Sequence, residues 1–126
     1  MEPQEDIIQY NENVKDEDLE IFTRSQLSLY NGKSKPLVYV GIRGYVFDVT
    51  PNISSYGPGK SYNVFVGKDA TRLLGLNKLK FTGDITDSNT WSTEGLTEKQ
   101  LEAVDKWMDY FKKRYKIVGL VVAHEN

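Results

Sequence analysis

The chain of 126 residues has no cysteine and a single histidine, and these scarcities exclude more than its abundances do. Without cysteine there is no disulfide, no thiolate ligand, no cysteine-based zinc site and no CxxCH point for attaching a cofactor covalently. The histidine, His124, is the third residue from the end, so a histidine-based triad would require the tail to fold back. Long apolar runs are also missing. The longest, Ile117–Ala123 and Leu37–Val40, fall far short of the roughly 20 residues of a spanning helix. The start, MEPQEDIIQY, lacks the basic opening and apolar stretch of a secretory signal. These features predict a cytoplasmic protein with no transmembrane segment in this chain.

Other chemistries are thinly represented. Asp48, Asp69 and Asp105 are carboxylates able in principle to act as acids or bases, but Asp69 stands where a helix opens and reads as a structural cap. Gly57, Gly59 and Gly67 neither follow a buried strand directly nor match a phosphate-binding spacing. No nucleic-acid motif is present, so no nucleic-acid partner is expected.

What is present is one domain's worth of ordinary globular composition, with eight tyrosines lifting the aromatic share to 12%. Charge is unevenly spread. Residues 1–20 hold eight acids and one base, a net of −7, leaving fifteen bases and ten acids, +5, in the remainder. The acidic stretch is short of periodic apolar positions, and residues 1–18 are read as a flexible arm preceding a domain over 19–123 and a tail over 124–126.

Within the domain, Thr23 is a helix N-cap ahead of Leu27 and Tyr30, with Gly32 after the last turn. LVYVGI and YVFDVT alternate β-branched and aromatic residues around Arg43-Gly44, the pattern of a hairpin. Residues 52–67 read as a structured loop, KDATRLLGL as a short helix, and 77–95 as a long polar connection. Thr97 and Gln100 form a T-x-x-Q capping box for a last helix whose apolar residues at 101, 104, 108, 111 and 115 share one face. IVGLVV is the final strand. The pattern predicts an α+β domain in which a small twisted sheet meets short helices.

The segment Tyr56-Gly-Pro-Gly-Lys-Ser-Tyr62, followed by Asn-Val-Phe-Val-Gly67-Lys-Asp-Ala-Thr-Arg72, is the most distinctive text. With YVFDVT before it and Trp107 to Gly119 after it, the chain resembles the membrane-associated progesterone receptor family, a branch of the cytochrome b5-like haem/steroid-binding domains. The resemblance covers about residues 21–122. It implies a cytochrome b5-like fold in which the helices form a haem cleft. Ordinary cytochrome b5 fills both axial positions of iron with histidine, and neither histidine is here. In the family resembled, the second tyrosine of the loop ligates iron, the first hydrogen-bonds to it, and a Lys-Tyr pair ending the last long helix assists. By position this implies Tyr62 as iron ligand, Tyr56 as its partner and Tyr115 as the helical tyrosine. Arg114 replaces the family lysine and can still meet a propionate bidentately.

A free phenol has a pKa near 10, so it ligates at neutral pH only where a strong Lewis acid such as ferric iron displaces its proton; tyrosine does this for ferric haem in catalase. The implied cofactor is therefore non-covalent ferric haem b, held five-coordinate in a protein that is not an enzyme. The implied partners are haem-thiolate monooxygenases of sterol metabolism at the endoplasmic reticulum surface. A sterol ligand, peripheral membrane contact through the basic domain and a homodimer remain open. Two rivals stand beside this reading: a haem-free steroid-binding or scaffold module with a cleft lined by Phe65, Leu73, Leu74, Phe81 and Trp107, and an electron carrier of the cytochrome b5 type.

Overall fold

The structure is a computed structural model that describes residues 2–76 and 90–122. Its centre is a four-stranded mixed sheet built from β1 (Glu20–Phe22), β2 (Tyr39–Ile42), β3 (Tyr45–Asp48) and β4 (Ile117–Val121), in the order β1-β4-β3-β2. The expected hairpin is β2 and β3, paired antiparallel with Ile42 opposite Tyr45. Its two-residue turn places Arg43 at φ 52° and Gly44 at φ 82°. Left-handed backbone at both positions matches the right-handed twist of the flanking strands. A non-glycine residue there needs support. Arg43 N–H donates to Thr71 Oγ1 at 2.6 Å and Gly44 N–H to Asp69 Oδ2 at 2.8 Å, while the Arg43 guanidinium pairs with Asp105 at 2.6 Å. The buried Asp69 carboxylate also accepts from Thr71 N–H at 3.0 Å. Asp69 thus serves structure, as the sequence suggests, by tying the hairpin tip to the start of the next helix.

β4 lies antiparallel to β3, with a bulge between Val46 and Phe47, and parallel to β1, with Glu20 opposite Gly119. The parallel strand β1 is an addition to the expected sheet. Strand alternation sends Val40, Ile42 and Phe47 into the main core, while Tyr39 and Val46 pack with Phe22 and Leu27 in a smaller cluster. Among the rings of that second cluster, Tyr30 and Tyr39 stack 4.3 Å apart.

Five helices complete the described fold: α1 (Glu5–Asn13), α2 (Arg24–Ser28), α3 (Ile53–Tyr56), α4 (Thr71–Gly75) and α5 (Glu98–Arg114). Both predicted N-caps are made, since Thr23 and Thr97 each form a reciprocal capping box, with Gln26 and Gln100 respectively. The basic last turn of α5, Lys112 to Arg114, suits the negative end of the helix dipole. Tyr115 is not inside the helix. It is the C-cap, with extended backbone at φ −130° and ψ 140°, so the chain turns at this residue and carries its ring inward. The polar connection expected over 77–95 and the tail over 124–126, with His124, lie largely or wholly outside the described residues.

The flexible arm expected over residues 1–18 is corrected. Residues 5–13 form α1, which packs on α5 and buries Ile7. Ile7, Tyr10 and Val14 are three and four residues apart and so share a helical face, a periodicity outweighed in the sequence by the surrounding acids. Asn11 provides the anchor. Its Nδ2 donates to the carbonyls of Lys112 and Tyr115, both at 2.8 Å, and its Oδ1 accepts from Ile117 N–H at 2.9 Å. One side chain thereby satisfies backbone groups that the end of α5 leaves without helical partners. Asn11→Ala is expected to lower stability by about 1–3 kcal/mol, the range for orphaning buried polar groups. Urea unfolding checks this, with a lowered midpoint at unchanged slope as the expected result.

Candidate functional site

A cleft of about 470 Å³ opens between α3, the loop that follows it and one face of α5. Asn52, Ser55, Tyr56 and Tyr62 line one side; Ala103, Lys106, Trp107 and Tyr110 line the other. The second set is spaced three, one and three residues apart, which gives a single stripe on α5 beside the core-facing stripe of Val104, Met108 and Phe111. The volume lies within the roughly 300–1,000 Å³ of small-molecule sites.

The loop is folded by its own backbone. Gly57 N–H donates to Ile53 O at 2.8 Å, and a Cβ at Gly57 would stand 2.7 Å from that same oxygen, so a side chain is excluded there. Gly59 takes φ +78°. Beyond it, Tyr62 N–H reaches back to Ser55 O at 2.9 Å, and Asn63 Nδ2 donates to Tyr56 O at 3.0 Å. These bonds close the Gly-Pro-Gly loop so that the Tyr56 and Tyr62 rings meet, centroids 5.5 Å apart and planes tilted by 42°. Of the sequence-predicted residues, the fold therefore brings Tyr56, Tyr62 and Tyr115 to one place.

Their environments differ. Tyr62 is half-buried on the cleft wall, edge-on to Trp107 at 6.0 Å. Tyr56 is 1% exposed and packs edge-to-face on Phe111 at 5.9 Å and Tyr115 at 6.1 Å. The Tyr115 hydroxyl accepts from Asn52 Nδ2 at 3.0 Å. Burial pushes the Tyr56 phenol well above its ordinary pKa of 10, with the neighbouring tyrosines adding to the rise. Burial raises Tyr115 as well, opposed by the Asn52 hydrogen bond. Tyr56 is consequently fixed as a neutral phenol, a donor and not an anion.

Arg114 takes a different place from the one the resemblance implies. Its guanidinium lies 3.7 Å above the centre of the Tyr110 ring and donates to Tyr110 O at 3.2 Å, so it backs a cleft residue without lining the cleft. The cation that does line it is Lys106, which sequence reasoning missed along with Asn52, Ser55, Ala103 and Tyr110. The three-four spacing beside Trp107 was the available signal. The alternative lining is also revised: Phe65, Leu73 and Leu74 are packed into the core, Trp107 alone of that set lines the cleft, and Phe81 lies outside the described residues. Among the described residues no group of three or more His, Asp or Glu side chains is placed to hold a metal ion.

Comparison with known proteins bears on what such a cleft is for. Residues 23–115 match the family model described as the cytochrome b5-like Heme/Steroid binding domain. The chain belongs to that family. It is 47% identical over 104 residues to "Probable steroid-binding protein 3" of Arabidopsis thaliana, covering 81% of this chain and 98% of that protein. It is 30% identical over 115 residues to the cytochrome P450 regulator dap1 of Schizosaccharomyces pombe, covering 90% and 69%. A solved Arabidopsis thaliana structure described as having a cytochrome b5 like fold superposes with a TM-score of 0.70 at 44% identity, covering 83% of this chain and 93% of that one. Relatives named as membrane-associated progesterone receptor and progesterone-binding proteins extend the set and bear out the resemblance. Several relatives are longer, and the chain spans 30% of two neuferricin homologues and 40% of a progesterone-binding one. The α+β cytochrome b5-like fold is thus established. Among the described residues no helix is long and apolar enough to cross a membrane.

Proposed function

We propose that this domain is a non-enzymatic haem-binding protein in which Tyr62 supplies a phenolate to ferric haem b. The observation that carries the reading is the placement of Tyr62, a half-buried phenol on the wall of an aromatic cleft, next to a buried phenol held neutral. The site fits the group in its donor chemistry, since the cleft offers an oxygen donor for a ferric ion and the aromatic side chains of Trp107 and Tyr110 beside it. Bound haem would supply a ferric Lewis acid strong enough to take the phenolic proton's place on Tyr62.

The chain's own residues do the rest. Ser55 O holds the Tyr62 backbone N–H, and Trp107 and Tyr56 pack against its ring. An anionic oxygen donor favours the ferric state, and the sequence holds a single histidine. That argues against an electron carrier of the cytochrome b5 type, which holds its iron between two histidines. A domain that binds without reacting acts through partners. The fission-yeast relative named as a cytochrome P450 regulator supports haem-thiolate monooxygenases as the partner class, met at a membrane surface.

The test is a hemin titration followed by absorption and electron paramagnetic resonance spectra. A shifted Soret band, a phenolate-to-iron charge-transfer band and a high-spin ferric signal are expected. A low-spin bis-nitrogen signal would exclude the tyrosine ligand. A second reading, a haem-free sterol site, is favoured by the apolar rings lining the cleft and by the names of several relatives. No Soret shift together with saturable sterol binding would establish that reading instead.

A further inference from the structure

The cleft-lining stripe of α5, at positions 103, 106, 107 and 110, continues one turn later to 114. Two cations therefore stand on it, Lys106 and Arg114, and their circumstances are unequal. Arg114 is spent on Tyr110, stacked on the ring at 3.7 Å and hydrogen-bonded to the backbone carbonyl at 3.2 Å. Lys106 borders the cavity itself, and its side chain is exposed at the mouth. Two nearby carboxylates of the helix are drawn elsewhere: Asp105 pairs with Arg43 at 2.6 Å and Asp109 with Lys113 at 3.1 Å. Exposed Glu102, one turn earlier, offers only a solvent-screened i,i+4 pairing. Ala103, the residue one turn before Lys106 on the stripe, is small, so the ammonium can swing over the rim.

Opposite Lys106 the wall is polar but uncharged. Asn52 is occupied, donating to Tyr115 and accepting from Ser54 Oγ at 3.2 Å, and the other groups on that side are the hydroxyls of Ser55, Tyr56 and Tyr62. A ligand entering with an apolar ring face toward Trp107 and Tyr110 and an anionic edge toward solvent meets, among the described residues that line the cleft, one positive charge, that of Lys106. We propose that Lys106, and not Arg114, receives the carboxylate edge of the ligand and makes the cleft selective for a carboxylate-bearing flat ring system over its neutral counterpart. This rests on the haem reading above, in which the carboxylates are the two propionates.

The experiment compares hemin with its dimethyl ester, which keeps the ring and iron and removes both carboxylate charges. Soret titrations are run on the wild-type chain, Lys106→Met and Arg114→Met, with circular dichroism to verify folding. Methionine keeps the length and helix propensity of an exposed lysine, so the fold is expected to persist. The wild type should prefer hemin to the ester by about three- to tenfold, a preference that falls as salt rises, because the pairing is partly exposed. Lys106→Met should bind both forms equally, with unchanged band positions, while Arg114→Met should retain the preference. A preference that survives in Lys106→Met and vanishes in Arg114→Met overturns the proposal in favour of the arginine. Equal binding of hemin and ester by the wild type overturns it outright, with the haem reading intact. Absence of any Soret shift in the wild type fails both.

Discussion

Tyr62→Phe is expected to abolish the phenolate charge-transfer band and to weaken hemin binding by more than the roughly 100-fold that marks the upper end for loss of an outer-shell partner. Phenylalanine keeps the ring against Trp107 and Phe65 and removes the phenol oxygen proposed to ligate iron. Because the residue is half-buried, the fold should lose about 1 kcal/mol or less, and circular dichroism should remain native. Tyr56→Phe is the informative companion. It deletes a buried hydroxyl whose ring lies against that of Tyr62, so hemin should still bind, about 10- to 100-fold more weakly and with a shifted band. If Tyr56→Phe is the variant that loses the band, the two roles are reversed. If both variants keep it, Tyr115 is the next candidate ligand.

Gly119→Ala should be the most damaging single-methyl change in the sheet. Gly119 sits where parallel β1 crosses closest to β4, and a Cβ built on it falls 2.6 Å from Phe22 Cδ2 and 2.8 Å from Glu20 O. The ring has no room to turn aside, because Phe22 is 2% exposed and held edge-on by Tyr30 and Tyr39. The backbone oxygen has no rotamer to change. Relief therefore requires β1 to move away from β4, with loss of ladder hydrogen bonds and of packing in the second core cluster. Overpacking of this kind costs about 1–3 kcal/mol and sometimes more, equivalent to a fall in Tm of roughly 10 °C for a domain of this size. Thermal unfolding followed by circular dichroism reads it directly. A Tm within about 2 °C of wild type would mean that β1 does not lie on β4 as described.

That glycine shows how differently the two kinds of information divided. The W-x-x-x-F-x-x-x-Tyr ending and its Gly119 were legible as a motif, yet the motif carries no reason for the glycine until Phe22, almost a hundred positions away, is laid across it. The hairpin, the two capping boxes and the amphipathic α5 were readable from the chain because each depends on residues within four of one another: alternation around Arg43-Gly44, Thr97 with Gln100, and apolar residues three and four apart. The pair Tyr56 and Tyr62 was readable for the same reason, being joined by one short loop whose glycines close it locally.

What the chain alone did not disclose depends on partners far apart in sequence. Asn11 bonds to Tyr115 across 104 positions, and that contact turns an acidic stretch into a helix docked on α5. Composition weighs charge, which a surface helix tolerates; it does not register the one buried isoleucine and one asparagine that hold the helix in place. The packing of Tyr56 on the Tyr115 ring, and the hydrogen bond from Asn52 to the Tyr115 hydroxyl, likewise exist only once α3 is set against the end of α5. The choice between Lys106 and Arg114 is the finest example. Both stand on the same stripe of one helix, and their sequence positions predict equal access to the cleft. The stacking of Arg114 on Tyr110 separates them, because side-chain direction is settled by the surface each meets and not by helical phase.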